Sequence, residues 1–130
     1  MSRFQYAPAP ESRDIARLRP SYQIFVDGAF RDGSGEAVKT INPADETPLA
    51  EVTEAGPTDV DDAVRAARRA FDGPWSAMSG AERGKYLFRI ARAIQERGRE
   101  LAVLESLDNG KPIKESRDVD IPTAAAHFFY

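Results

Sequence analysis

Few side chains in this 130-residue sequence are equipped for chemistry. It contains no cysteine, which excludes a thiolate nucleophile, a thiolate zinc site and a disulfide framework within it. The single histidine, His127, sits between Ala126 and Phe128 with no metal-ligand spacing around it and reads as a hydrogen-bonded helix histidine. Asp118 and Asp120 stand two positions apart. They could form a paired-carboxylate site or a solvated helix start, and no neighbouring residues supply a metal's other ligands. Gly33-Ser34-Gly35 begins like a dinucleotide loop, but it lacks the later glycine and follows a hairpin rather than a strand feeding a helix, so it reads as a turn. No nucleophile elbow or Walker loop is present. Asp108 opens an Asp-Asn-Gly step, where a carboxylate commonly accepts nearby backbone N–H groups.

The elements that must position these residues follow from the pattern. Residues 1 to about 20 carry Pro8, Pro10 and Pro20 with no apolar periodicity, and read as an extended arm. Tyr22 to Val26 is apolar and rich in strand formers. The Asp27-Gly28 step supplies the positive φ angles of a tight hairpin turn, with Ala29-Phe30-Arg31 as returning strand. Ala37 to Ile41 is a strand ended by Asn42-Pro43, and Leu49 to Val52 is another.

From Thr58 the period changes from two to 3.6. Thr58 is the expected N-cap, and Val60, Ala63, Val64, Ala67 and Phe71 form one apolar stripe that Gly73-Pro74 stops. A capping box, Ser79 to Glu82, opens the next helix, with Leu87, Ile90, Ala91 and Ile94 as its inward stripe and a break at Gly98. Leu101, Leu104 and Leu107 continue helically to the Asp108-Asn-Gly-Lys-Pro112 stop. Ala124 to Tyr130 reads as the interior of a buried helix, three aromatics without a cap, so a continuation past Tyr130 is expected.

Composition sets outer limits. Charged residues are 30% and apolar ones 42%, enough of the latter for a core, as in an ordinary globular chain. A net charge of −3 gives no electrostatic case for nucleic acid or an anionic membrane as partner. No apolar run approaches the roughly 20 residues of a membrane span, and no apolar leader core is visible, so a cytoplasmic protein is expected.

Several strings together resemble one known family. Thr40-Ile-Asn-Pro43 after a Val-Asp-Gly hairpin, then Leu49-Ala-Glu-Val52, resembles the opening of aldehyde dehydrogenases. So do Thr58-Asp-Val-Asp-Asp-Ala-Val-Arg-Ala-Ala67, Trp75 and Ala81-Glu-Arg83. The most distinctive match is Leu104-Glu-Ser-Leu-Asp-Asn-Gly-Lys-Pro112 followed by Glu115-Ser-Arg-Asp118. The resemblance covers about residues 20 to 130. The arm before it is outside the common pattern.

The resemblance implies an α+β fragment of an α/β enzyme. An antiparallel hairpin and small sheet would be followed by three to four α-helices of the cofactor-binding domain, with 1–20 as arm and 21–130 as the incomplete domain. It also implies a reaction, oxidation of an aldehyde to a carboxylic acid with hydride passing to NAD or NADP. That reaction runs through a cysteine thiohemiacetal held by an asparagine-containing oxyanion hole, then a thioester hydrolysed by a glutamate-activated water. The nucleophile, the glutamate, the asparagine and the cofactor loop all map downstream of these residues. No catalytic or cofactor-binding residue is therefore carried over, and the segment alone is expected to be inactive.

One family site does map here, a structural monovalent cation, K+ or Na+, at Thr40, Ile41 and Asp108. Backbone carbonyls and one carboxylate are suitable hard donors for it. Expected partners are a small-molecule aldehyde, the remainder of the same domain and, when complete, further copies as a dimer or tetramer, with no nucleic acid and no membrane. The competing reading is a non-catalytic α+β interaction module derived from the same family.

Overall fold

The structure, a computed structural model, describes residues 12–130. The first part of the arm lies outside the described residues. Its remainder includes a single tight helical turn, Arg13–Ile15, capped by Ser12 and packed against the third long helix.

Five strands follow: β1 (Ser21–Tyr22), β2 (Ile24–Val26), β3 (Ala29–Arg31), β4 (Ala37–Ile41) and β5 (Pro48–Thr53). The hairpin β2–β3 forms as the Asp27-Gly28 step dictates. Asp27 and Gly28 take φ of 54° and 81°, and Phe25 pairs with Phe30 across the strands. Tyr22 does not belong to that hairpin. The apolar run divides at Gln23, whose side-chain amide Nε2 donates to Asp32 Oδ1 at 2.8 Å, and Ser21–Tyr22 pairs in parallel with β5 instead. The second sheet is thus mixed, ordered β1-β5-β4, with β4 and β5 antiparallel. Its register shifts between Thr40 and Ile41, where the partner of Ile41 is Pro48, which has no N–H to give to the ladder.

The long helices are α1 (Pro57–Ala70), α2 (Gly80–Glu96), α3 (Gly98–Asn109) and α5 (Ile121–Phe129), with a single turn α4 (Ile113–Glu115) leading through a widened turn, Ser116–Asp120, into α5. Helix α1 begins one residue before Thr58. Gly56 is its N-cap and Pro57 occupies the first turn, where the missing N–H costs nothing. The regular helix ends at Ala70, before the stop expected at Gly73-Pro74, and non-helical angles at Gly73 (φ −110°, ψ −114°) kink the helical turn that follows. The capping box of α2 forms as read, with the Ser79 N–H donating to Glu82 Oε2 at 2.8 Å and the Glu82 N–H to Ser79 Oγ at 3.3 Å. The Ser79 N–H, and after it the Ser79 hydroxyl donating to the same Oε2 at 2.8 Å, hold the Glu82 carboxyl below its ordinary range. The break before Gly98 falls at Arg97 (φ −102°, ψ 15°).

The core is small and built from short side chains. Ala91 of α2, Ala102 and Val103 of α3 and Ala125 of α5 are its buried apolar residues, and α2 lies along α5. Such residues let helix backbones approach closely. The two apolar stripes read from the sequence are on single faces, as the period requires, but they are largely uncovered. Val60 and Val64 of α1 are 52% and 61% exposed, and Leu87 and Ile90 of α2 are 40% and 43% exposed. Helical period specifies which side chains share a face; burial also needs a neighbour to cover it.

Candidate functional site

Of the three residues expected to hold a cation, Thr40 and Asp108 are far apart in sequence but line one cavity. A cavity of about 540 Å³ opens between the mixed sheet and helices α3 and α5. Its walls are apolar, with Leu49 and Val52 from the sheet and Leu101 and Ile121 from the helices. Thr40, Glu105, Asp108 and Asp120 also line it. Thr40 and Asp108 are therefore brought to one cavity. Ile41 is the next residue of the same strand, exposed and just past the register shift.

Asp108 lies in the last turn of α3, and Gly110 (φ 76°) caps that helix in the left-handed conformation. The turn is held by its neighbour, since the Lys111 N–H donates to Asn109 Oδ1 at 2.8 Å. The Asp108 carboxylate is exposed and takes no hydrogen bond or ion pair among the described residues. A role as the turn's acceptor is thus filled by Asn109, leaving the carboxylate of Asp108 available. One helical turn earlier, Glu105 Oε2 is buried with no hydrogen-bond partner, a position the sequence reading had not singled out. Glu105 and Asp108 are three residues apart on one helix, a spacing that puts both on one face and was legible in principle.

Asp120 is satisfied differently. The Lys111 ammonium is bound to its carboxylate, and that bond, ahead of the surrounding charges, raises the lysine above its usual value. Asp118 pairs with Arg117 at 2.7 and 3.0 Å, which lowers the aspartate. Asp118 and Asp120 therefore do not form the paired-carboxylate site; each is engaged by its own cation. His127 is exposed on α5 and its imidazole makes no hydrogen bond among the described residues, in contrast to the bonded histidine expected. No group of three or more His, Cys, Asp or Glu side chains among the described residues is arranged to hold a metal ion.

A second polar centre was missed by the sequence reading. Asp59, only 7% exposed, accepts hydrogen bonds from Ser34 N–H (2.7 Å), Ser34 Oγ (2.6 Å), Gly56 N–H (3.0 Å) and Arg31 Nη2 (3.3 Å). It reaches back to cap α1 and fixes the Gly33-Ser34-Gly35 turn, which confirms that string as structural. The Ser34 hydroxyl, then the two backbone donors, hold the Asp59 carboxyl below its ordinary value. The available signal was Asp at the third helical position after Gly-Pro.

With this geometry in view, comparison with known proteins is informative. The model of the aldehyde dehydrogenase family matches residues 30–130. DhaS of Bacillus subtilis (strain 168) is 44% identical over 115 residues, covering 87% of this chain and 23% of that protein. The aminoacetaldehyde dehydrogenase of Pseudomonas aeruginosa is 42% identical over 124 residues, covering 94% of this chain and 24% of that protein. An NAD+ complex of an aldehyde dehydrogenase from Bacillus cereus superimposes with a TM-score of 0.84 at 40% identity, over 95% of this chain and 25% of that one. The chain belongs to the aldehyde dehydrogenase family. It spans about a quarter of the length of the relatives it matches. No helix among the described residues is long and apolar enough to cross a membrane.

Proposed function

We propose that this chain is the N-terminal part of the cofactor-binding domain of an NAD(P)-dependent aldehyde dehydrogenase and serves there as scaffold. The observation that carries this is the match of residues 30–130 to the family, combined with the absence of any cysteine to attack an aldehyde. In the whole protein, an aldehyde would be oxidised to a carboxylic acid and hydride passed to NAD or NADP by residues outside this segment. The uncovered faces of α1 and α2 support the same reading, since the remainder of the domain would bury them. A cytoplasmic location and a homo-oligomeric whole enzyme belong to this proposal.

The experiment is direct. The 130-residue chain should bind NAD weakly or not at all in calorimetry and form no NADH with aldehydes, while self-associating through its apolar faces. A polypeptide continuing through a downstream cysteine should form NADH. Stoichiometric NAD binding by the short chain would sink this reading and favour a self-contained module.

We also propose a structural K+ or Na+ held by the Thr40 and Ile41 carbonyls and the Asp108 carboxylate. The residue types suit a hard cation: Thr40 and Asp108 line the same cavity, Ile41 follows Thr40 across a register shift, and the Asp108 carboxylate has no partner among the described residues. The unsatisfied Glu105 oxygen adds local negative charge that a cation would offset. When bound, the ion would tie the strand end to the end of α3. In the complete enzyme, wild type should gain thermal stability as K+ replaces an organic cation at constant ionic strength, and Asp108→Ala should lose that gain. Equal midpoints at every K+ concentration in both proteins would rule the site out.

A further inference from the structure

The chain has two asparagines, Asn42 and Asn109. An asparagine side chain is labile when the next backbone nitrogen can attack its Cγ. Asn42 is immune by chemistry, because Pro43 has no N–H to lose, and it is also buried at 2% exposure. Asn109 is exposed and precedes Gly110, whose lack of a side chain removes the usual hindrance to attack. The fold also demands this pair. Gly110 adopts φ 76°, and a Cβ there would stand 2.8 Å from Pro43 Cγ, so glycine is required. Asn109 provides the acceptor for the Lys111 N–H.

We propose that Asn109 is a site of spontaneous deamidation, gated by opening of the last turn of α3. In the reaction the Gly110 nitrogen bonds to Asn109 Cγ, the bond from Cγ to the side-chain nitrogen breaks, and ammonia leaves with the proton from Gly110. Water then opens the cyclic imide at one of its two carbonyls, leaving aspartate or isoaspartate at 109. The Lys111 N–H at Asn109 Oδ1 is placed to stabilise the oxyanion of the tetrahedral intermediate. The opposing restraint is the Gly110 N–H, which donates to the Ser106 carbonyl at 3.1 Å and must be released before the nitrogen can attack. Helix ends open locally far more often than the whole fold, so release does not require unfolding. The product places a second carboxylate beside Asp108. In its isoaspartyl form it also lengthens the main chain at the turn.

The test is peptide mapping by mass spectrometry, with isoaspartyl methyltransferase labelling, of the protein aged at mildly alkaline pH in native buffer and in guanidinium. The expected result is conversion at Asn109 in both, about tenfold slower in the folded protein, with Asn42 unchanged. Asn109→Gln should remove the label, since the larger ring closes poorly. Equal folded and unfolded rates would overturn the gating. Asn109 left intact in folded protein after about a hundred unfolded half-lives would overturn the site itself.

Discussion

Replacing Asp59 by alanine is expected to lower the thermal midpoint by about 10 °C, the largest effect of any single charged residue in this segment. The carboxylate is 7% exposed and takes bonds from two backbone N–H groups, a hydroxyl and a guanidinium. Removing it orphans the Ser34 and Gly56 donors together, and Arg31 keeps only its bond to Asp62 at 2.9 Å. Arg31 Nε already lacks a partner, so the guanidinium has nothing in reserve. Asp59→Asn is nearly as harmful, because an amide offers one acceptor oxygen and turns an N–H toward donors.

The pH dependence follows from the direction of the shift. Asp59 is held below its ordinary value, chiefly by the Ser34 hydroxyl, so the unfolded chain binds its proton more readily than the folded one. Its stabilising contribution is complete above the unfolded value of about 4 and drains away as pH falls through the lower folded value. Thermal melts of wild type and Asp59→Asn should therefore differ most near neutrality and converge in acid. A midpoint difference under about 2 °C at neutral pH would show that the Ser34 turn and the α1 N-terminus find other partners.

Local signals in the sequence were reliable where the structure is locally determined. The Asp27-Gly28 turn, the Ser79–Glu82 box and the breaks at Gly73-Pro74 and Arg97-Gly98 each depend on a few adjacent residues, and each is present. The misreadings involve partners distant in sequence. Tyr22 left the hairpin because a parallel partner, Val52, lies thirty positions away, and no period in 22–26 could announce it. Thr58 lost the N-cap because a more distant demand, binding Ser34, drew Asp59 back over Gly56. The apolar stripes of α1 and α2 were assigned the right side chains, but exposure depends on what lies above them. For the candidate cation site, the family resemblance supplied the residues, and the fold supplied a cavity shared by Thr40 and Asp108 and a carboxylate at Asp108 without a partner among the described residues.

Gly110→Ala is the second large effect, and it bears on how the two distinctive strings meet. Holding alanine at φ 76° costs about 1–2 kcal/mol. The added Cβ would also sit 2.8 Å from Pro43 Cγ, a ring carbon that cannot rotate away, which brings the loss to about 2–4 kcal/mol. Gly28→Ala is the matched control, with φ 81° but nothing within 4 Å of its Cβ, so it should lose only the conformational part. In urea titrations the difference between the two variants isolates the Pro43 contact; equal losses would mean that contact is relieved freely. The contact joins Asn42-Pro43, at the end of the strand bearing Thr40 and Ile41, to the turn just after Asp108. A methyl group inserted there pushes apart the two segments whose oxygens make up the proposed cation site. Gly110→Ala should therefore blunt the K+ response as well as lower stability, whereas Gly28→Ala should leave the K+ response intact.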